Sequence, residues 1–500
     1  MKRSHAIAVF LVLAIPGSLT AAETKASPPG KPATEVVNPS LPPSLPRFVV
    51  AHHLFLSPAA SPRPVLKYHL LPQFPEQTPG NAALLYLKAF VTFAESGPNR
   101  QKMEEVLTRP FWNLSAEKPI PFEKLDQVPR DEVKKALATF DGAMEILSMA
   151  TRRETCDWGQ PVREQRDFYE LLLSEVQMSR AFARFLVVKA RLEITEKKYE
   201  QALATLREGF TLAHHVGQQG IIVSDLVGLV IQGMMAETLQ SLIASPGAPN
   251  LYWALTELPD PLVSHRRGLE LEGSAVYVLF PKLREVRTAR LSPQQWQDLY
   301  QQVLVRITEL AGLMAGKRPT AADVKSALEK AEPIARRELL ARGWTRQQVD
   351  AMPAAQAVLV QSIEVFEEAR DDLFKWYYVP FAQAAQGIGA ASEQIERVKK
   401  VEGVPLASVM LPALGPCYLR AAQRQRQIAA LRTIEAIRLY AANHGGALPE
   451  SLDKIGEVPI PVNPVTGKPF PYKLEGATAI LEADGPAESH PRQYRLTVAK

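Results

Sequence analysis

The feature that most constrains the fold is the helical spacing of apolar residues, which is clearest within residues 420–472. Ile434, Ile437 and Ala441 follow one another at intervals of three and four residues, and this spacing places them on one face of an α-helix. Gly445 then predicts the helix end, because glycine tolerates the left-handed conformation that often follows a helix.

Similar stripes recur along most of the chain, and glycine or proline clusters separate them. We predict helices at 81–94, 131–153, 163–195, 200–216, 221–244, 251–257, 262–289, 293–315, 320–342, 346–398 (broken near Pro353 and Pro380) and 418–443. Patterns typical of strands are nearly absent before residue 459. The sequence therefore predicts a mainly α protein, an irregular helical bundle with a small C-terminal α+β module.

The predicted C-terminal module begins after the last long helix. A short helix is expected at 448–452, and the prolines of 459–464 favour an extended loop because proline cannot donate a backbone hydrogen bond. Asn463 and Gly467 belong to the turn region that leads into a short strand pair from residues 469–472.

This order of elements resembles the head of type II secretion pseudopilins. In that family a helix ends in a Tyr-x-x-x-x-Gly-x-x-Pro motif, and an Asp-Pro and Gly-x-Pro-x-x-Tyr turn precedes a small sheet. Residues 439–452 and 461–472 resemble this pattern. Asn463 stands where the family has Asp, and no prepilin-type membrane helix is joined to this segment. The resemblance implies a similar fold for the module.

Two helices resemble a tetratricopeptide hairpin. Leu186 and Ala190 lie on the first helix, and Ala202, Leu206 and Gly209 lie on the second. Small residues at such positions let two helices approach closely. We find one copy, which indicates a single helix pair within an irregular bundle, since a repeat array needs three or more copies.

A second resemblance covers about 81–500. The segments 156–159, 213–217, 249–254 and 258–262, together with the C-terminal module, resemble a family of secreted proteins from planctomycete-type bacteria. The resemblance implies helical architecture and export, and it leaves the chemistry open.

Charge and N-terminal pattern indicate an exported chain. Lys2 and Arg3 precede a ten-residue apolar run at 6–15, and small residues follow up to Ala22, as in a secretory signal peptide. We expect cleavage near Ala22 and a mature chain in the periplasm or outside the cell. The apolar run at 221–235 contains polar residues and is expected to be a core helix, so no transmembrane segment is predicted in the mature chain.

The expected organisation has five parts. They are a signal peptide (1–22), a Pro-rich disordered linker (23–46), an extended Pro-rich arm (47–79), a helical domain (80–403), and a long helix plus a small β module (404–500). The formal charge of +5 is too small to indicate a nucleic-acid partner.

Motifs of known chemistry are lacking. The chain has no Gly-x-Ser-x-Gly and no His-Glu-x-x-His sequence, and its nearest phosphate-loop pattern, 312–317, is one residue short. His214 and His215 are adjacent, so they point about 100° apart on a helix and are poorly placed to share a metal. We therefore assign no catalytic, cofactor-binding or metal-binding residue, and no cofactor.

One short region is the first place to expect a polar pocket or an interaction surface. Tyr252 and Trp253 would form either an aromatic platform or part of the core, and core packing is favoured. His265, Arg266 and Glu270 crowd the start of the next helix.

The motif Cys156-Asp157-Trp158-Gly159 also allows two interpretations. It is either a reactive thiol beside an acid, or a chain turn at Gly159 with Trp158 packed into the core. The structural interpretation is favoured, because a neighbouring carboxylate raises the pKa of a thiol. The sequence does not decide whether Cys156 and Cys417 form a disulfide, because it does not give the distance between them in space.

The sequence favours an exported, non-enzymatic interaction or scaffold protein of the cell envelope. It would bind a protein partner, and contact with the envelope surface is an additional expectation. The alternatives are an envelope hydrolase with an active site that follows no known motif, and an accessory of a secretion or pilus machine that acts through the C-terminal module.

Overall fold

A computed structural model describes residues 50–95, 130–162, 173–312, 319–411, 414–483 and 492–498. Within these ranges the protein is mainly helical and carries a small sheet formed largely by C-terminal strands, which confirms the predicted fold class. The predicted signal peptide and linker lie outside the described residues, as does the first part of the helix predicted at 163–195.

The predicted helices occur in the expected order, and one short helix, Leu406–Met410, was not predicted. The helices are α1 (Ala83–Ala94), α2 (Arg130–Ala138), α3 (Asp141–Thr151), α4 (Ser174–Thr195), α5 (Tyr199–Val216), α6 (Ile222–Ile243), α7 (Tyr252–Thr256), α8 (Arg266–Leu279), α9 (Pro293–Leu310), α10 (Ala321–Ala341), α11 (Arg346–Ala351), α12 (Ala354–Phe374), α13 (Phe381–Val398), α14 (Leu406–Met410) and α15 (Leu414–Asn443).

Four strands form the sheet that adjoins α15. The strands of the whole chain are β1 (Val50–Leu56), β2 (Thr78–Asn81), β3 (Arg153–Thr155), β4 (Tyr472–Glu475), β5 (Thr478–Ala483) and β6 (Arg492–Val498). The larger sheet has the order β1-β6-β5-β4, with β1 parallel to β6 and the other pairs antiparallel. Strands β2 and β3 form a separate parallel pair.

Strands β1, β2 and β3 were not predicted. The sequence suggested an extended arm around β1, because prolines are frequent on both sides of it. Leu54 and Leu56 are buried and Phe55 is exposed, so the segment alternates as a half-buried strand does. The pattern is too short to be decisive alone, and its partner β6 lies at the other end of the chain.

Three predicted helices differ from those observed. The helix predicted at 131–153 is divided into α2 and α3 near Phe140, which has non-helical backbone angles. The helix predicted at 262–289 ends at Leu279, and a 3-10 helix follows at Pro281–Glu285. The short helix predicted at 448–452 is a 3-10 turn at Leu452–Lys454.

Helix α6 lies at the centre of the bundle and packs against α4, α5, α8 and α15. The two helices that the sequence likened to a tetratricopeptide hairpin are α4 and α5, and both pack on α6. Among the described helices, α6 is the one that is long and apolar enough to cross a membrane. However, 78% of its most apolar 18-residue stretch is buried inside the protein.

A buried ion pair fixes α15 to the rest of the molecule. Arg438 donates to both carboxylate oxygens of Glu435 at 2.9 and 3.0 Å. The guanidinium also donates to the carbonyl oxygens of Ser57, at 3.0 Å, and Ala248, at 2.8 Å. The Asn250 side chain donates to the carbonyl oxygen of Glu435 at 2.9 Å. The N-terminal arm, the loop before α7 and α15 therefore meet at one point.

Candidate ligand-binding cleft

A surface cleft of about 1080 Å³ lies beside α8. Its described lining residues come from the β3 end and following loop (Thr155, Cys156, Asp157, Val162), the loop between α5 and α6 (Gln218, Gln219, Gly220), the α8 face (Arg267, Glu270, Leu271, Ser274, Tyr277, Val278) and the following 3-10 helix (Pro281, Arg284). A cavity of this volume can hold a ligand of the size of a short peptide.

One wall of the cleft is a single face of α8. The wall runs from Arg267 through Leu271 and Ser274 to Val278, at intervals of three or four residues. At 1.5 Å per residue, this wall is about 16 Å long. The opposite face of α8 is turned to the core, where Gly268 lies directly against the carboxyl group of Asp225.

The opposite wall is held in place by one glutamine. The Gln219 side-chain amide donates to the carbonyl oxygens of Cys156, at 3.0 Å, and His215, at 2.8 Å. Its carbonyl oxygen accepts a hydrogen bond from the Trp158 backbone N–H at 3.1 Å. The end of α5 and the loop after β3 therefore form one connected surface.

A second side chain fixes the loop after β3. Asn81 donates to the Asp157 carbonyl oxygen at 2.7 Å and accepts from the Asp157 backbone N–H at 2.9 Å. The Asp157 carboxylate accepts from the Gly159 backbone N–H at 2.8 Å. Gly159 has φ +64°, a left-handed conformation that favours glycine.

Cys156 is poorly suited to be a nucleophile. Its side chain is buried, and burial together with the Asp157 carboxylate raises the pKa of the thiol to about 12. Trp158 packs in the opposite direction, stacked against Phe90 and Tyr86. These positions fit the structural interpretation of the motif. Cys156 and Cys417 are both free and buried, so they do not form a disulfide.

The charged groups of the cleft balance one another. Arg267 and Arg284 contribute positive charge, and Asp157 and Glu270 contribute negative charge. The Glu270 carboxylate accepts from Arg266 at 3.1 Å, and both side chains are exposed. The balance favours a ligand with mixed polar groups over a strongly charged one.

The residues predicted to form a polar pocket are only partly brought together. Glu270 lines the cleft, whereas His265 is buried among aromatic rings and burial lowers its pKa to about 4. Tyr252 is fully buried and its hydroxyl donates to the Pro459 carbonyl oxygen. Trp253 packs edge-on against Tyr252 and is partly buried. The two aromatic residues therefore belong to the core.

The C-terminal turn residues have structural roles. Asn463 is buried, and its side-chain oxygen accepts from the Val465 backbone N–H at 2.9 Å. Gly467 has φ +69° and its backbone N–H donates to the Asn463 carbonyl oxygen at 2.8 Å. These contacts form a compact turn before β4.

Among the described residues, no group of three or more His, Cys, Asp or Glu side chains is arranged to hold a metal ion. His215 is buried beside Tyr86, whose hydroxyl lies 2.9 Å from its Nδ1, and burial lowers its pKa to about 3. His215 therefore belongs to the core.

The sequence reasoning missed most of the cleft. Gln218, Ser274 and Arg284 line it, and none was singled out. The spacing of polar and apolar residues along α8 would have indicated one wall. The opposing loops belong to distant segments, and nothing in the sequence brings them together.

The fold and the cleft define a mainly helical protein with a surface site large enough for a short polymer segment. No known family model, curated protein or solved structure matches the chain.

Proposed function

We propose that this chain is an exported, non-enzymatic interaction protein of the cell envelope, and that the α8 cleft binds an extended segment of a partner protein. The observation that carries the proposal is the length of the α8 face that lines the cleft. Its α8 wall is about 16 Å long, which matches roughly five residues of extended chain at about 3.3 Å per residue.

The lining chemistry supports binding in preference to catalysis. The cleft offers amide, hydroxyl and charged groups around a few apolar side chains, the combination that peptide-binding grooves use for affinity and specificity. Its one thiol has a pKa of about 12 and so is a weak nucleophile. Support for export comes from the signal-like pattern of residues 1–22.

The proposal is tested by filling the cleft. A peptide ligand is first selected from a random linear library on the wild-type protein. Ser274→Trp places a large ring in the middle of the α8 wall. We expect it to weaken the affinity for this peptide by at least about tenfold, because the ring fills the space that the peptide occupies. Isothermal calorimetry on the purified full-length chain measures the change.

Ser264→Trp is the matched control, because Ser264 is exposed just before α8 and does not line the cleft. It should bind the selected peptide as the wild type does. A library that yields no peptide, or a peptide that Ser274→Trp binds with unchanged affinity, would refute the cleft as the binding site.

A further inference from the structure

We propose that Gln218 presents a hydrogen-bond acceptor to the cleft, that His214 fixes the orientation of its amide, and that the bound segment therefore offers an N–H group at this position. The inference rests on the proposed function of the cleft. It adds the chemistry of the ligand at one end of the site and names His214 as a positioning residue.

The tautomer of His214 follows from its backbone contact. The His214 Nδ1 atom lies 2.8 Å from the Leu262 carbonyl oxygen. A carbonyl oxygen only accepts hydrogen bonds, so Nδ1 carries the hydrogen. In a neutral imidazole the other nitrogen, Nε2, is then an acceptor.

That tautomer decides which way the Gln218 amide faces. The His214 Nε2 atom lies 2.6 Å from the Gln218 Nε2 atom, and an acceptor at this distance requires the amide NH₂ group as its donor. The carbonyl oxygen of Gln218 is then the atom left for other partners. Within the described part of the chain no hydrogen bond to this oxygen is found, and Gln218 lines the cleft.

The neighbouring glutamine cannot replace it. Both polar atoms of the Gln219 side chain are used by backbone groups of the end of α5 and the loop after β3. Of the two adjacent glutamines, Gln218 is therefore the one that can form a hydrogen bond with a ligand.

Arg267 supplies a complementary group at the same end of the cleft. A Cβ atom added to Gly220 would lie 3.5 Å from the Arg267 Cβ atom, so this arginine borders the α5–α6 loop that carries Gln218. A guanidinium only donates hydrogen bonds. An acceptor and a donor side by side suit the N–H and C=O groups of an extended peptide backbone.

The tautomer is tested directly, without any ligand. Long-range ¹H–¹⁵N correlation spectra of the full chain labelled at histidine nitrogens, with His214→Asn used to assign the signal, should show hydrogen on the His214 Nδ1 atom and none on Nε2. A ring with hydrogen on Nε2, or a doubly protonated ring, would overturn the inference, because Gln218 would then turn its NH₂ group to the cleft.

Recognition of the N–H group is tested with the peptide selected on the wild-type protein. Each backbone nitrogen of that peptide is methylated in turn, which removes one donor at a time. We expect one position at which methylation weakens binding to the wild type about fivefold to tenfold, the effect of losing one hydrogen bond. In Gln218→Leu the same methylation should change affinity less than twofold.

Two further variants separate the specific effect from a general one. Gln218→Glu keeps an acceptor and should retain the methylation effect, and Gln302→Leu, an exposed glutamine on α9, should behave as the wild type does. Equal methylation effects in the wild type and Gln218→Leu overturn this inference and leave the proposed function intact. A library that yields no peptide overturns both.

Discussion

At the scale of single residues, the Arg438–Glu435 pair is the most consequential contact outside the cleft. Both side chains are fully buried. Burial raises the pKa of Glu435 to about 7, although Arg438 and the Leu251 backbone N–H act in the opposite direction. Removing one partner of such a pair leaves an uncompensated group in the core, which costs more than the intact pair contributes.

We therefore expect Arg438→Met to reduce the free energy of unfolding by about 3–5 kcal/mol. The substitution also leaves the carbonyl oxygens of Ser57 and Ala248 without their donor. Urea denaturation followed by circular dichroism measures the loss.

The matched control is Arg397→Met, because Arg397 pairs with Glu393 on α13 while both side chains are exposed. It should change stability little. The double variant Glu435→Leu/Arg438→Met should recover much of the loss, since apolar side chains can replace a buried ion pair. A small effect of Arg438→Met would show that the pair is not an anchor.

At the scale of elements, the close approach of α5 and α6 depends on glycine. A Cβ atom at Gly228 would lie 2.9 Å from the Ala213 carbonyl oxygen and 3.2 Å from the Gly217 backbone nitrogen. Both atoms belong to the backbone, so neither can rotate away. The same two helices position the loop that carries Gln218, so their separation affects the cleft.

Gly228→Ala is expected to lower the free energy of unfolding by about 1–3 kcal/mol, because the added methyl group forces the two helices apart. Gly389→Ala is the control. Gly389 lies in α13 with no atom within 4 Å of an added Cβ, so alanine should stabilise the helix by up to about 1 kcal/mol. If the two variants shift the urea midpoint in the same direction, the contact does not limit helix packing.

At the scale of the whole molecule, buried and half-buried histidines link stability to pH. Burial lowers the pKa of His265 and His52 to about 4 and that of His215 to about 3. The ordinary value is 6.5. As the pH falls, these histidines are therefore protonated in the unfolded chain before they are protonated in the folded protein. The stability that they contribute above pH 6.5 is lost as the pH falls toward 4.

We expect the contribution of His265 to the free energy of unfolding to fall by on the order of 2 kcal/mol between pH 7 and pH 5. His265→Gln should reduce the pH dependence by that amount, whatever its effect at pH 7. Urea titrations at both pH values give the difference. An equal slope in His265→Gln and in the wild type would contradict the assignment.

Helix positions were largely predictable because a helix is stabilised within one stretch of sequence. The stripe that contains Ile434 and Ile437 is buried along α15 as expected, and Pro353 and Pro380 directly precede α12 and α13. The exceptions, such as the division near Phe140, occur where packing overrides local preference.

The sequence by itself determined the helical class, because the apolar spacing and the breaking residues act over a few positions. Only the tertiary structure decided that β1 pairs with β6, that Arg438 joins three distant segments, and that Gln218 and Ser274 face one cleft. Those relations depend on side chains that are far apart in the chain, and the distance between such groups is set only when the whole core packs.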